Sequence, residues 1–416
     1  MAVSIPQLLS RNHNYRMLWA GQVVSEVGDH FNNIAVFSMA IRQEHGGMLV
    51  GGVLIARAVP MLLAGPMAGV VLDRLDRRKV MIASDLMRCV VALGFILCMN
   101  QPDNTLLFVL SAMLMFASPF FTSGRNAILP VVAKGEELLP ANALTQTTAW
   151  ATTAVGAFLG GTAIASFGYE WAFVLNALSF LGSAICLLLF RTEPKQFEPP
   201  MQAEHREFQP HREFMDGLRY MKSEPLLMAI ALIGVGWATG GGAAQILFSV
   251  FGEKVFGRGP AGIGTIWGAA GLGLVVGGVL ANWLNKRISF EGYKRTVAIA
   301  YLAHGALYVA FAWETQFALA LVFIGLSRAA GSTSSVVNYS KVLQYAEDRY
   351  RGRVFATMET MTWTTMMVSL FVAGIATETV NPRTIAAVAG CLSGSTGLVW
   401  AWANWAGKLR LPGKRV

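Results

Sequence analysis

Glu26 and Asp29 stand three residues apart in a stretch otherwise suited to a lipid bilayer, a spacing that puts both carboxylates on one face of a helix. An ionisable group deep in a membrane span costs about 2.5 kcal/mol or more, so it needs a partner or a task. The task open to two such acids is proton chemistry, since burial and mutual repulsion let a carboxylate take up and release a proton at working pH. The plainer reading is a polar helix contact with Asn32 or Asn33. Arg328 is the third such residue, set in GLSRAAGSTSS, whose small side chains leave space around a guanidinium. It can attract an anionic substrate, hold a carboxylate ionised until a proton arrives, or sit in a fixed salt bridge. Arg57 reads as a side chain that snorkels outward, and His304 and Glu359 as buried hydrogen-bonding residues.

The surrounding chain dictates what must position these groups. Of 416 residues, 54% are hydrophobic, 14% are charged and 43 are glycine. A soluble domain carries about 25% charge and about 7% glycine, so the composition points to bilayer. At roughly 20 apolar residues per span the length accommodates about twelve spans and no large extramembrane domain. Apolar runs place them near 16–41, 46–72, 80–100, 105–125, 143–167, 170–190, 225–251, 259–284, 294–313, 316–338, 354–377 and 384–406. These runs are far longer than the roughly ten alternating residues of a barrel strand, which leaves an all-α integral membrane bundle.

The 33 Lys and Arg exceed the 24 Asp and Glu, giving a formal charge of +9. Basic loops explain this excess without nucleic acid: with the N-terminus inside, only Arg42, Lys254, Arg258 and Arg383 fall on the outer side, and Arg57, Arg88 and Arg328 fall within spans. Both termini are therefore expected in the cytoplasm. The segment from Arg191 to Pro225 is too rich in proline and charge to span. Its FMDGLRYM stretch suits a short amphipathic helix at the membrane surface. The expected organisation is a six-helix bundle over 1–190, a cytoplasmic linker over 191–224 and a second six-helix bundle over 225–416. Cys89, Cys98, Cys186 and Cys391 lack any metal-ligand spacing and read as small core residues. The opening MAVSIPQLLSRNHNYR lacks the signature of a removable signal peptide.

The two halves echo each other. GVVLDRLDRR at Gly69–Arg78 aligns with GVLANWLNKR at Gly278–Arg287, each at the cytoplasmic end of the second helix of its half. The first copy resembles the loop signature G-x-x-x-D-R-x-G-R-[KR] of the major facilitator superfamily. Gly69, Asp73, Arg74, Arg77 and Arg78 match it, and Asp76 stands where many members have glycine. RNHNYRMLWAGQVVSEVGDHFNNIAV, SDLMR, LPVVAKGEELLPANAL and RGRV resemble the branch of enterobactin exporters and macrolide efflux proteins, and the resemblance runs from Asn14 to about Trp405. In the fifth span Gly156, Gly160 and Gly161 match part of an antiporter glycine pattern, a spacing that ordinary close helix packing also uses.

The resemblance implies two six-helix pseudo-repeats and alternating access. It makes Gly69, Asp73, Arg74, Arg77 and Arg78 a conformational latch, with Asp73 meeting the start of the eleventh helix near Val354 and Phe355. Because the first, fourth, seventh and tenth helices line the cavity in this family, it also aims Arg328 toward Glu26 and Asp29. Phe116, Phe120, Phe121, Met113, Met115, Trp237 and Gln245 would then offer an apolar, adaptable lining that suits bulky amphipathic compounds.

No GxxxxGK[ST], HExxH, GxSxG or Cys/His cluster occurs, so neither ATP-driven transport nor membrane hydrolysis has a foothold in this chain, and no cofactor or metal is expected. The expected function is proton-coupled export of a small amphipathic, drug-like or siderophore-like compound by a monomer in a bacterial inner membrane, with protons and lipids as its other partners. A lipid-handling or uptake carrier on the same fold is the alternative, and a receptor or enzyme on that scaffold a remote one.

Overall fold

A computed structural model describes residues 4–99, 101, 103–191, 196–198 and 210–410. Every regular element among them is helical. The elements are α1 (Ile5–Arg11), α2 (His13–Ile41), α3 (Gly46–Leu72), α4 (Arg77–Cys98), α5 (Thr105–Val132), α6 (Leu138–Phe167), α7 (Tyr169–Leu188), α8 (Pro210–Ser223), α9 (Pro225–Val250), α10 (Gly259–Asn285), α11 (Phe290–Trp313), α12 (Phe317–Tyr345), α13 (Asp348–Ala376) and α14 (Pro382–Trp405). Their starts follow from local chemistry. Asn12, Asp76, Ser289 and Asn381 each accept a hydrogen bond from a first-turn backbone N–H, supplying an acceptor that the helix itself cannot.

Ten of these helices are long and apolar enough to cross a membrane. The two other long ones, α2 and α13, fall short because α2 carries Glu26, Asp29, Asn32 and Asn33 while α13 carries Glu359 among Thr357, Thr360, Thr362, Thr364 and Thr365. Several helices outrun the apolar stretches that mark them in the sequence. α5 continues past Arg125 to Val132 and α12 to Tyr345, α6 begins at Leu138, and α13 begins at Asp348 instead of near Val354. Charge had marked these turns as loop. In α13 the Arg351–Asp348 ion pair, three residues apart, supports the first turn, and Val354 lies buried inside the helix.

Packing divides the chain into two units, residues 1–205 with 257–268 and residues 206–256 with 269–416. Each repeats one scheme. In the first, α2 packs on α6 and α7, and α4 on α5 and α7. In the second, α9 packs on α13 and α14, and α11 on α12 and α14. The α3–α5 pair of the first unit has its counterpart where Gly273 and Gly277 of α10 meet the backbone of α12 at Gly325 and Ala329. The duplicated sequence thus builds a duplicated set of helix pairs. The glycines of α6 serve close packing: a Cβ on Gly160 would stand 3.1 Å from Phe31 Cα of α2, and one on Gly161 would stand 2.6 Å from the Pro260 carbonyl oxygen.

The short α8 covers the FMDGLRYM stretch and lies on α13, with Tyr220 stacked on Tyr350 at 4.4 Å. All four cysteines are free. Cys98 is buried, but Cys391 is exposed on α14, so the expectation of a core role fails there. The short apolar residue faces outward with Val388 and Leu392, which are also exposed.

Candidate functional site

The first unit gathers an unusual density of charge inside its helices. On α2, Gln22, Glu26, Asp29 and Asn33 recur at helical spacing and form one polar stripe. Glu26 is fully engaged: one oxygen accepts from Arg125 Nη1 and Gln22 Nε2, both at 2.9 Å, and the other from Thr152 Oγ1 at 2.8 Å. Asp29, one turn on, is different. Its Oδ1 is buried with no hydrogen-bond partner. The charges that act on it are those of Arg88, Glu26, Asp85 and Arg57, with burial the larger influence.

Each arginine in this interior has a polar partner. Arg125 pairs with Glu26. Arg57 donates to the side-chain carbonyls of Asn33 and Asn32 and lies over the Phe37 ring at 5.4 Å; at 6% exposure it does not snorkel outward, because two amide acceptors on α2 hold it in place. Arg88 donates to Asp85 one turn before it on α4 and lies between the rings of Phe121 (4.7 Å) and Phe180 (4.3 Å). Asn32 and Asn33 are thus taken by Arg57, and Asp29 is left to ionic chemistry.

Close packing brings α2 and α7 together beside Asp29. A side chain at Gly28 would collide with Ser179 and come within 3.0 Å of Asn176 Oδ1, so glycine is what lets α2 press against α7 beside Asp29.

In the second unit, Arg328 meets aromatic and neutral groups only. Its guanidinium lies 5.0 Å from the centre of the Phe248 ring, with Tyr308 and His304 of α11 near it. It takes part in no hydrogen bond or ion pair among the described residues, and its Nε and the Tyr308 hydroxyl are buried without partners. The fixed salt bridge considered for Arg328 does not form within this unit. His304 is the buried hydrogen-bonding residue expected, its Nδ1 2.8 Å from Ser327 Oγ, whereas Glu359 is exposed.

Of the lining residues, Phe116 and Phe120 are half-buried and tilt against each other at 5.9 Å. Trp237 and Gln245 are half-buried on α9. Phe121 is turned to Arg88, and Met113 is largely exposed on the outer face of α5.

The loop motif between α3 and α4 is built around helix ends. Gly69 is exposed with open space where a Cβ would stand, Asp73 caps the end of α3 with its N–H on the Gly69 carbonyl (3.0 Å), and its carboxylate and Arg74 are exposed. Asp76, the departure from the family pattern, accepts from Lys79 N–H at 3.0 Å and caps α4. Arg77 donates to the Ala127 carbonyl, and Arg78 to those of Leu187 (2.8 Å) and Leu188 (2.9 Å), where cationic groups complement the carbonyl end of α7. In the second copy, Asn285 donates to Ser340 Oγ and Arg287 stacks on Trp283 at 4.4 Å.

Sequence reasoning missed Arg125 and Asp85. Arg125 sat at an expected helix end, although Ile128 and Leu129 continue the apolar pattern beyond it. Asp85 stands three residues before Arg88 in an apolar run, a spacing that announces an internal ion pair.

Comparison with known proteins matches this sequence to a family. The sequence model described as Major Facilitator Superfamily fits residues 18–325. The MFS-type transporter YfiS of Bacillus subtilis (strain 168) is 26% identical over 401 residues, covering 94% of this chain and 93% of its own. The enterobactin exporter EntS of Shigella boydii serotype 4 (strain Sb227) is 27% identical over 356 residues, covering 83% of this chain and 81% of its own. Among solved structures, the nucleoside transporter NupG superposes with a TM-score of 0.71 at 13% identity, over 94% of this chain and 99% of that one, a likeness of fold.

Proposed function

Since the chain belongs to the major facilitator superfamily and is a multi-pass membrane transporter, not an enzyme, we propose that it exports a small amphipathic compound, drug-like or siderophore-like, in exchange for protons. The reading takes all twelve long helices as spans, as two six-helix bundles joined by a cytoplasmic linker over 191–224, with both termini in the cytoplasm of a bacterial inner membrane and the protein acting as a monomer among its lipids. Its direction is taken from the exporters it resembles.

One observation supports the coupling: Asp29 is a half-buried acid among charges whose Oδ1 is buried and unpartnered among the described residues, whereas Glu26 beside it is tied by three hydrogen bonds. A carboxyl so placed is answered by a proton in one state and by a cation in another, and linkage requires that substrate and proton affect each other equally. Glu26 orders the stripe, and Arg328, an unpaired guanidinium, serves the substrate or biases the acids. Phe116, Phe120 and Trp237 supply an apolar wall and Gln245 a hydrogen-bonding group beside it.

Gly69, Asp73, Arg74, Arg77 and Arg78 form the latch. Asp73 has an exposed carboxylate with no partner among the described residues while Arg77 holds a carbonyl of α5 and Arg78 the end of α7, and Asp73→Asn is expected to slow transport while the protein still inserts. A thermal-shift screen with enterobactin, a macrolide and a lysolipid finds a ligand by the stabilisation that binding brings. Flux of that ligand in proteoliposomes, with and without an imposed pH gradient, then tests coupling. A gradient without effect on flux sinks the proton reading, and a lysolipid as the only ligand favours the lipid-handling alternative.

A further inference from the structure

Asp85 and Arg88 are the buried charges of the first unit that this reading leaves without a task. They lie on α4 at 0% and 2% exposure. Burying two charges costs several kcal/mol, and an ion pair that serves structure recovers this by satisfying every donor and acceptor. This pair does not. Arg88 gives Nη2 to Asp85 Oδ1, while Arg88 Nε and Asp85 Oδ2 are buried without hydrogen-bond partners.

Asp29 Oδ1 is in the same condition, and the strongest charge acting on Asp29 is that of Arg88. α7 brings them together: Gly28 of α2 packs on its Asn176 and Ser179, and Asp85 of α4 lies beside its Ser183. Arg88 lies on the Phe180 ring of α7, next to the Ser179 on which Gly28 packs, so one layer holds a buried guanidinium with a donor to spare, the buried Asp85 and the half-buried Asp29, each acid with a buried acceptor to spare.

We propose that Asp85 is a second proton-binding carboxylate and that Arg88 is the counter-ion it shares with Asp29, so that one exchangeable proton belongs to the pair of acids. The inference rests on the proton-coupled reading and adds two residues of α4 to it. With the proton on Asp29, a neutral carboxyl needs no cation, and Arg88 stays on Asp85 as observed; with the proton on Asp85, Arg88 is released to Asp29. When that proton leaves to water, Asp29 becomes a second anion within reach of Arg88, whose spare donor turns toward it. Only an O–H bond breaks and re-forms.

The other groups facing the pair are Glu26 on α2, neutralised by Arg125 of α5; Arg57 on α3, held by Asn32 and Asn33; and the thiols of Cys89 on α4 and Cys186 on α7. His30 of α2 packs at Gly156 of α6. Arg57 also acts on Asp29 and keeps a buried Nε without a partner, but Arg88 is the cation that acts on both Asp29 and Asp85.

The test is a pH titration of the protonated-carboxyl C=O band by infrared spectroscopy on the purified protein, with no substrate added. The wild type should show a buried band with the amplitude of one carboxyl. Asp85→Asn removes a like charge and frees Arg88 for Asp29, so the band's midpoint should fall by about one pH unit or more; Arg88→Gln should move it up by a similar amount. Asp29→Asn should leave a titrating carboxyl on Asp85, and the double Asp29→Asn, Asp85→Asn variant should lose the band.

Opposite shifts from the two α4 substitutions are not a result that loosened packing produces. If Arg88→Gln fails to fold, Asp85→Asn and Asp29→Asn decide between them. A midpoint unmoved in Asp85→Asn, or a band abolished by Asp29→Asn alone, overturns the shared pair. If the gradient drives flux and the pair fails, the coupling reading survives on Asp29 alone. If the titration behaves as expected and the gradient drives no flux, the coupling reading falls and takes the proposed role of the pair with it.

Discussion

The two units pack their helices in the same pairs, yet they treat an arginine within their helices in opposite ways. In the first, Arg57, Arg88 and Arg125 meet two asparagines, Asp85 and Glu26. In the second, Arg328 has the Phe248 ring and no acid among the described residues. A duplicated scaffold therefore holds partnered arginines in one half and an arginine left open in the other. Partnered charges beside Asp29 suit a site that stores and releases a proton, since Asp29 is the third acid that would balance the three arginines once it ionises. An open guanidinium suits a ligand that brings its own anion.

Substitution can break this contrast at its strongest point. Arg88→Met strands Asp85 in the core, and removal of one partner of a buried pair costs about 3–5 kcal/mol, to be seen as a lowered midpoint in denaturant or thermal unfolding of the purified protein. A smaller loss, about 1 kcal/mol, is expected from Asp76→Ala, which deletes the cap of α4 and leaves the charges inside untouched. Arg328→Gln strands nothing and should leave the unfolding midpoint unchanged or slightly raised, while the ligand found by thermal shift loses affinity. A drop in stability as large as that of Arg88→Met would mean that Arg328 is paired after all.

The first two effects also show what could be read in the sequence. Apolar runs located the helices, because a bilayer tolerates little else, and the repeat at Gly69–Arg78 and Gly278–Arg287 foretold the duplicated packing. Helix ends were misjudged where charges continue a helix beyond its apolar stretch, as in α13, since the cost of charge depends on depth and the sequence does not state depth. For the same reason Arg125 read as a helix end and Arg57 as a snorkelling side chain. Glu26, Asp29 and Arg328 were visible as rare residues in apolar context, but which of them are satisfied is a matter of three-dimensional partners. Thr152, Gln22 and the two asparagines are polar residues of ordinary appearance whose roles come from the helices opposite.

Orientation is the mildest perturbation. In a background without the four native cysteines, Ser10→Cys should react with an impermeant thiol reagent only after cells are opened, and Thr315→Cys in intact cells. Both sites are exposed. The sites first suited to this purpose by sequence, Gln202 and Lys414, lie outside the described residues. The reverse labelling pattern would invert the protein and with it the direction assigned to the latch at Asp73.

The account stands most directly on the internal charges of the first unit as the seat of coupling. The decisive measurement is accumulation of the identified ligand in proteoliposomes under an imposed pH gradient, comparing wild type with the doubly neutralised Glu26→Gln, Asp29→Asn protein. The account predicts that the variant binds ligand and equilibrates it downhill but no longer accumulates it against its gradient. Accumulation at the wild-type rate would contradict it, making both acids structural and placing the coupling elsewhere.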